Sequence, residues 1–544
     1  MKNKINKTKI LAWIIPVLVL LTACELDTKV DIYPTKEMLD SKFGTVISYG
    51  GTAYNYFGDN GFKGIDNNLF AGVSDEAQHV NTLSNSQKFN EGNYNQYSPL
   101  DNNFEYLYTG IRYANICIKE TEGYVDLLAK NRSLILDLDY LSYVKDTFNV
   151  YSQRNEMPMI EAYCYFELVK RYGGVPIVPA NIGDAQEANL PRATAQEVFD
   201  KIESNINTSL PKLVPSWKES ASLVNGDPIG RFDQRVAMAF KSRVLLYAAS
   251  PLFSEPSQQK WDKAARAAKD IIDAGWFSFH PNYQTLFTGT NAYSSPEVIL
   301  VQRAGDDNTL EIENYPIGTP GGKTGLCPSH NLFEAYETGD RRRDATFVKN
   351  GDTWNGRKME IYGGGKDDPS KEFASRTGYY LKKFMSDNLD LQKDQKVKRD
   401  WVRFRYAEIV LNYAEAMNEA WGPTDNHGYG LNATEALNMI RTRPAIKLPA
   451  LSGLNQADLR TAIKHERRVE LAFEDHRYWD LRRWKDAEAV LSQPIMGVVI
   501  GSDNVTPSVV KVTDRIFGSK MNFYPIPENA IIRSDNVLTQ NPGW

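Results

Sequence analysis

Ile463-Lys464-His465-Glu466-Arg467-Arg468-Val469-Glu470-Leu471-Ala472-Phe473-Glu474, continued by His476-Arg477-Tyr478-Trp479-Asp480-Leu481-Arg482-Arg483-Trp484, is the stretch whose reading decides the fold. Glu466, Glu470 and Glu474 stand at i, i+4 and i+8, so one helix face carries three carboxylates beside Leu459, Ile463 and Phe473. Aligned carboxylates are the raw material of glycosidase-type acid/base chemistry. Here Arg467, Arg468, Arg477, Arg482 and Arg483 supply guanidinium partners within the same stretch. Such partners hold a carboxylate ionised instead of raising its pKa. The expectation is a partly buried ion-pair network of Glu466, Arg467, Glu470, Glu474, Arg477 and Arg482 that locks two helices together, with no catalytic residue in it.

His465-Glu466 opens like HExxH, but the closing position is Val469, so no zincin site is present. The six histidines are scattered and no Cys/His cluster has ligand spacing, so no metal site is expected. No cofactor is expected either; a structural calcium in the loops is left open and not predicted.

Outward from this block, several segments carry helical periodicity. Trp261, Ala264, Ala265, Ala268, Ile271 and Ile272 follow the i, i+3, i+4, i+7 pattern and Gly275 is placed to end the helix. Val236, Ala239, Phe240, Val244 and Tyr247 do the same, with Asp233 as N-cap and Pro251 as a stop. A helix over Phe404 to Trp421 ends at Gly422-Pro423, and others are expected near 104–128, 156–172, 195–210, 433–443 and 456–474. Short strands are expected at Glu297 to Val301 and Phe523 to Ile526. Alternating Ala and aromatic positions make antiparallel helix pairs that look like tetratricopeptide units without a strict 34-residue period. The expected fold is mostly α: a tetratricopeptide-like superhelix of helix pairs with an irregular, loop-rich lobe and few short strands.

Two stretches break the pattern, about 44–103 and 302–403, both dense in Gly or Asn. Loops this long inside an ordered chain are usually functional. They offer candidate ligand contacts: Phe89, Asn90, Asn93, Tyr94 and Tyr97 in the first, Trp354 and Tyr362 in the second. Aromatic faces stack on the apolar face of a sugar ring or on peptide side chains, and Asn amides both donate to and accept from hydroxyls. Gly318 to Thr324 imitates a P-loop, but Ile317 stands at the first glycine position and Pro320 interrupts the amide cradle. Gly72-Val73-Ser74 lacks the second glycine of a nucleophile elbow, since position 76 is Glu76.

The 544 residues carry 63 basic and 68 acidic side chains, a net charge of −5. Losing Lys2, Lys4, Lys7 and Lys9 with a leader would leave 59 against 68, or −9. That acidity argues against a nucleic-acid partner. Those lysines precede an apolar run, Ile10 to Leu21, then Leu21-Thr22-Ala23-Cys24. A basic segment followed by a short apolar one is an export signal, too short to span a bilayer. Its ending resembles the lipobox of bacterial lipoproteins, which implies residues 1–23 as leader and Cys24 as the lipid-attachment residue. Cys117, Cys164 and Cys327 form no CxxC pair; the first two read as small core residues.

The 463–484 block looks like the hallmark block of the SusD/RagB family. Further matching blocks are Ser74-Asp75-Glu76; Tyr172-Gly173-Gly174-Val175-Pro176; Gly230-Arg231 leading into Lys241 to Tyr247; Tyr406-Ala407-Glu408; Tyr524-Pro525-Ile526-Pro527; and Gln540 to Trp544. Arg443-Pro444 departs from the family pattern at the end of one helix. The resemblance implies a single domain over 24–544, a helical scaffold with a variable ligand lobe. It also implies a lipoprotein facing the cell exterior at the outer membrane, the lid of a SusC-like TonB-dependent transporter. Its ligand would be an oligosaccharide or, as the alternative, a peptide. A surface glycan hydrolase would need a paired-acid cleft in a catalytic fold, which the sequence does not offer. A purely structural envelope scaffold would bind neither.

Overall fold

The computed structural model describes residues 36–58, 61–179 and 189–544. Its frame is built from helices α1 (Phe43–Tyr54), α2 (Phe104–Glu120), α3 (Asp137–Tyr172), α4 (Ala195–Ser209), α5 (Gln234–Ala249), α6 (Gln258–Ala274), α7 (Tyr406–Trp421), α8 (Ala433–Arg441), α9 (Gln456–Glu470) and α10 (Arg477–Arg483). Successive helices pack as neighbours: α2 on α3, α3 on α4, α5 on α6, α7 on α8, with α6 and α9 also against α7.

Local chemistry explains where several of these helices start and stop. Asp233 accepts a hydrogen bond from the Val236 amide at 2.8 Å to open α5, and Thr194 with Glu197 forms a capping box on α4. Trp261, Ala264, Ala265, Ala268 and Ile271 all point inward from α6, which ends on Gly275 at φ 64°. The small residues let α6 approach α7, whose Ala407, Val410, Ala414 and Met417 are likewise buried.

The structure departs from the sequence expectations in several places. The 104–128 helix breaks at Gly123, φ 68°, into α2 and Tyr124–Ala129. The 156–172 helix begins at Asp137 and runs through Pro158, because packing on both sides carries it past a residue that would otherwise mark a start. Phe404 and Arg405 belong to a strand, and α7 begins at Tyr406. The helix of the deciding block stops at Glu470, since Phe473 (φ 64°) and Asp475 (φ 65°) are left-handed, so Glu474 sits in the turn beyond it. Residues 523–526 form no strand.

The strands come in antiparallel pairs. Ala77–His79 (β1) pairs with Leu326–Pro328 (β3), Val298–Asp307 (β2) with Val397–Arg405 (β4), and Ile495–Ile500 (β5) with Pro507–Thr513 (β6). The expected irregular stretch from about 44 begins instead as frame helix α1; beyond it the first pairing fastens the remainder up to 103 to the 302–403 stretch, so these form one lobe. That lobe is packed, not open. Phe62, Tyr315, Trp354, Tyr380, Phe384 and Trp401 are among the buried residues of an apolar cluster separate from the helical core. Cys117, Cys164 and Cys327 are buried free thiols.

Candidate functional site

A charged seam joins lobe to frame. Glu466 and Glu470 are fully buried on α9, and their partners come from far along the chain. Arg342 donates to Glu466 at 2.5 Å and to Glu470 at 2.7 Å. Arg443 reaches Glu470 at 2.6 Å, and Arg441 reaches Glu466 at 3.0 Å. Arg405, at the end of β4, spans Glu297, Glu470 and Glu474 at 2.6–2.8 Å. Lys383 completes Glu474 at 2.7 Å. Burial works against ionisation of Glu470, but Arg443, Arg405 and Arg342 outweigh it and hold the carboxyl well below its ordinary range. A carboxylate so held cannot act as a general acid near neutral pH.

The arginines of the deciding block do other work, which corrects their expected pairing. Arg477, with Arg468, holds Asp75 at 2.7–3.0 Å, tying Ser74-Asp75-Glu76 of the lobe to the frame. Arg467 donates to Asp480 at 3.0 Å and to Asn412 at 2.8 Å. Arg482 takes main-chain carbonyls, Asn522 O at 2.9 Å and Arg171 O at 3.3 Å, with its guanidinium 4.9 Å from the Trp479 ring. Beside Asp75, burial and then the Asp75 charge push the Glu76 carboxyl up to about 8.

A cleft of about 500 Å³ opens where frame and lobe meet. Tyr54 and Phe57 line it from the end of α1, Asn149 and Gln153 from one face of α3, Asn225 and Arg231 from the 224–231 loop, and Gln302 and Arg303 from β2. Its back wall is fixed. Glu156, one turn beyond Gln153, receives Arg231 at 2.9 and 3.0 Å and the Tyr54 hydroxyl at 2.6 Å. Arg231 also donates to Asn149 at 2.7 Å and lies 4.2 Å over Trp217. Gln153 is seated against Gly50, where a Cβ would collide with its amide. The Gln153 amide oxygen is buried and has no hydrogen-bond partner. A buried polar atom without a partner costs stability. Convergent amides with the guanidinium groups of Arg231, Arg303 and Arg403 suit a hydroxyl-rich ligand. Asp227 is the one carboxylate among the described lining residues, so the cleft holds no acid pair for glycoside cleavage.

The residues nominated from the sequence do not gather here. Phe89 and Tyr94 stack on each other at 4.7 Å inside an aromatic cluster with Tyr478 and Tyr524. The buried Asn90 donates to Gly72 O at 2.9 Å. Trp354 is buried edge-on against Tyr315 at 5.3 Å. Phe89 and Tyr94 pin the loop to the helical core while Asn90 and Trp354 pack within the lobe, and all four are corrected from ligand contacts to packing residues because they are buried. Tyr97 is 74% exposed, Asn93 is exposed and Tyr362 half-buried. Of the cleft, the sequence blocks had marked Gly230 and Arg231; Gly50 was the other available signal, a close approach that a side chain would forbid. Cys24 lies outside the described residues. Among the described residues no group of three or more His, Cys, Asp or Glu side chains is placed to hold a metal ion, and no helix is long and apolar enough to cross a membrane.

Residues 296–544 match the SusD family, and residues 26–246 match a family described as starch-binding and associating with the outer membrane. The chain belongs to the SusD family. SusD-like protein P2 of Formosa agariphila is 22% identical over 406 residues, 70% of this chain and 72% of that protein. A crystal structure of a SusD-like protein from Bacteroides fragilis shares the fold with a TM-score of 0.76 and 23% identity, covering 94% of this SusD-family chain and 100% of that one. A SusD-like carbohydrate binding protein from the same species gives a TM-score of 0.73 at 21% identity, covering 92% and 99%. The family is described by what it binds, not by a reaction it catalyses.

Proposed function

We propose that this protein captures an oligosaccharide in the cleft between frame and lobe and passes it to a SusC-like TonB-dependent transporter. It would do so at the outer face of the outer membrane, held there by lipid on Cys24. The observation that carries the binding reading is a cleft of about 500 Å³ in which the amides of Asn149, Gln153, Asn225 and Gln302 converge with the guanidinium groups of Arg231, Arg303 and Arg403. The family description and the carbohydrate-binding relative support a glycan as the ligand class. Asn93, Tyr97 and Tyr362 remain proposed outer contacts, since each still presents surface from its loop.

The test is a glycan and peptide array probed with wild-type protein, Gln153→Met and Tyr97→Ala. Binding of a glycan class that weakens in Gln153→Met supports the reading. Binding of peptides alone would make this a RagB-like peptide-uptake protein, and shortened glycan products would make it a hydrolase.

A further inference from the structure

The start of α3 is apolar on the side that faces away from the frame. Inward, Asp146, Asn149, Val150 and Gln153 are buried. Outward, Tyr140, Leu141, Val144 and Tyr151 are exposed on the opposite face, where a surface helix ordinarily carries charge. The loop that leads into the helix ends in three consecutive apolar residues, Leu134, Ile135 (94% exposed) and Leu136 (62% exposed). Val125 and Leu223 extend the patch on either side. The Tyr143 hydroxyl donates to Val125 O, and Asn225, two residues beyond Leu223, donates to Asp146. A contiguous exposed apolar surface of this kind marks a contact site.

Its position names the occupant. The Asn131 side chain donates to Ser41 O, and the Arg132 guanidinium lies 3.9 Å over the Phe43 ring. The patch is therefore next to the root of the chain, where Met38 and Phe43 are themselves exposed. Eleven residues lie between Cys24 and Lys36, a span of twelve Cα–Cα steps. At 3.3–3.6 Å per residue they reach at most about 40 Å. An acyl group on Cys24 thus keeps this corner of the molecule close to the bilayer. Charges of both signs flank the patch, Lys42, Lys130 and Lys145 against Asp126 and Asp139, the last accepting from the Ser133 amide beside the tip.

We propose that the 134–151 face is a lipid-contacting surface, whose Leu134-Ile135-Leu136 tip sits in the interfacial region of the bilayer that holds the acylated terminus. A tether alone leaves the protein free to tumble; a second contact fixes its orientation and would turn the cleft to one side. The inference rests on Cys24 being acylated.

The three buried cysteines permit a direct test. Full-length acylated protein carrying Ile135→Cys is labelled with an environment-sensitive thiol fluorophore. It is mixed with phosphatidylethanolamine–phosphatidylglycerol vesicles containing brominated acyl chains. The control is Val505→Cys, exposed at the tip of the separate β5–β6 ribbon. Vesicle flotation reports the anchor; quenching reports the surface. The expected result is flotation of both proteins, with several-fold stronger quenching at 135 than at 505 and no change of that ratio at high salt. Flotation with both labels equally water-exposed overturns the lipid surface and leaves the anchor standing. Shielding at 135 that arises only after a partner protein is added overturns it in favour of a protein interface. Failure of either protein to float overturns the anchor, and the lipid surface with it.

Discussion

Arg405 holds Glu470 twice, donating to its carboxylate at 2.7 Å and to its main-chain carbonyl at 2.8 Å. The first residue lies at the end of a lobe strand and the second at the end of a frame helix, so this one side chain fixes how the two parts meet. Arg405→Ala leaves Glu297, Glu470 and Glu474 short of a buried partner, and the expected loss is about 3–5 kcal/mol in chemical denaturation. Arg405→Lys should recover only a small part, because an ammonium cannot reproduce the planar set of donors.

Asp75 is the corresponding fastening for the first lobe stretch. Asp75→Asn removes the charge that Arg468 and Arg477 share. Hydrogen exchange should accelerate in residues 74–90 by an amount corresponding to about 1–3 kcal/mol. The amides of α5 to α7, which depend on other contacts, should keep their protection.

Glu76 gives a pH dependence whose sign follows from its raised pKa. In the unfolded chain it titrates near 4.5 and in the folded protein near about 8. Between those values the folded state binds more protons, so this group's contribution to stability falls as pH rises and is fully lost above about 8. Glu76→Gln cannot ionise. Its melting temperature should therefore exceed that of wild type at pH 9 and converge with it near pH 5. A variant that loses stability equally at both values would contradict the assignment.

The thiols count the lipid. Burial pushes the Cys117 thiol up to about 12 and raises Cys164 and Cys327 as well. Native protein should not react with a thiol reagent, and unfolded protein should release three reactive thiols. A fourth, or any reaction in the native state, would mean that the Cys24 thiol is free.

Much of the helical frame was legible because it is local. The α6 pattern from Trp261 to Ile271, its glycine end and the Asp233 cap are all written within a few residues of one another. The seam was legible only by half. Three aligned carboxylates announced an ionic role, but Arg342, Arg405 and Arg443 come from distant segments that no periodicity connects to α9. Phe89, Tyr94 and Trp354 show the same limit from the other side. An aromatic residue in a glycine-rich stretch has the same sequence signature whether it meets a ligand or pins the loop, and only packing separates the two. The cleft was least legible, since Gln153 lies before the helix expected from 156 and nothing in the sequence ties it to Gly50.

The measurement that bears most directly on this account pairs two variants, each examined by thermal melting and by titration with the ligand found on the array. Glu470→Ala should lower the melting temperature clearly and leave the affinity of the folded protein unchanged. Gln153→Met should melt at or above the wild-type temperature and lose about tenfold in affinity. The opposite outcome, an unaltered melt with lost binding or glycan cleavage tied to Glu470, would place function in the buried carboxylates and contradict the division of labour between frame and cleft.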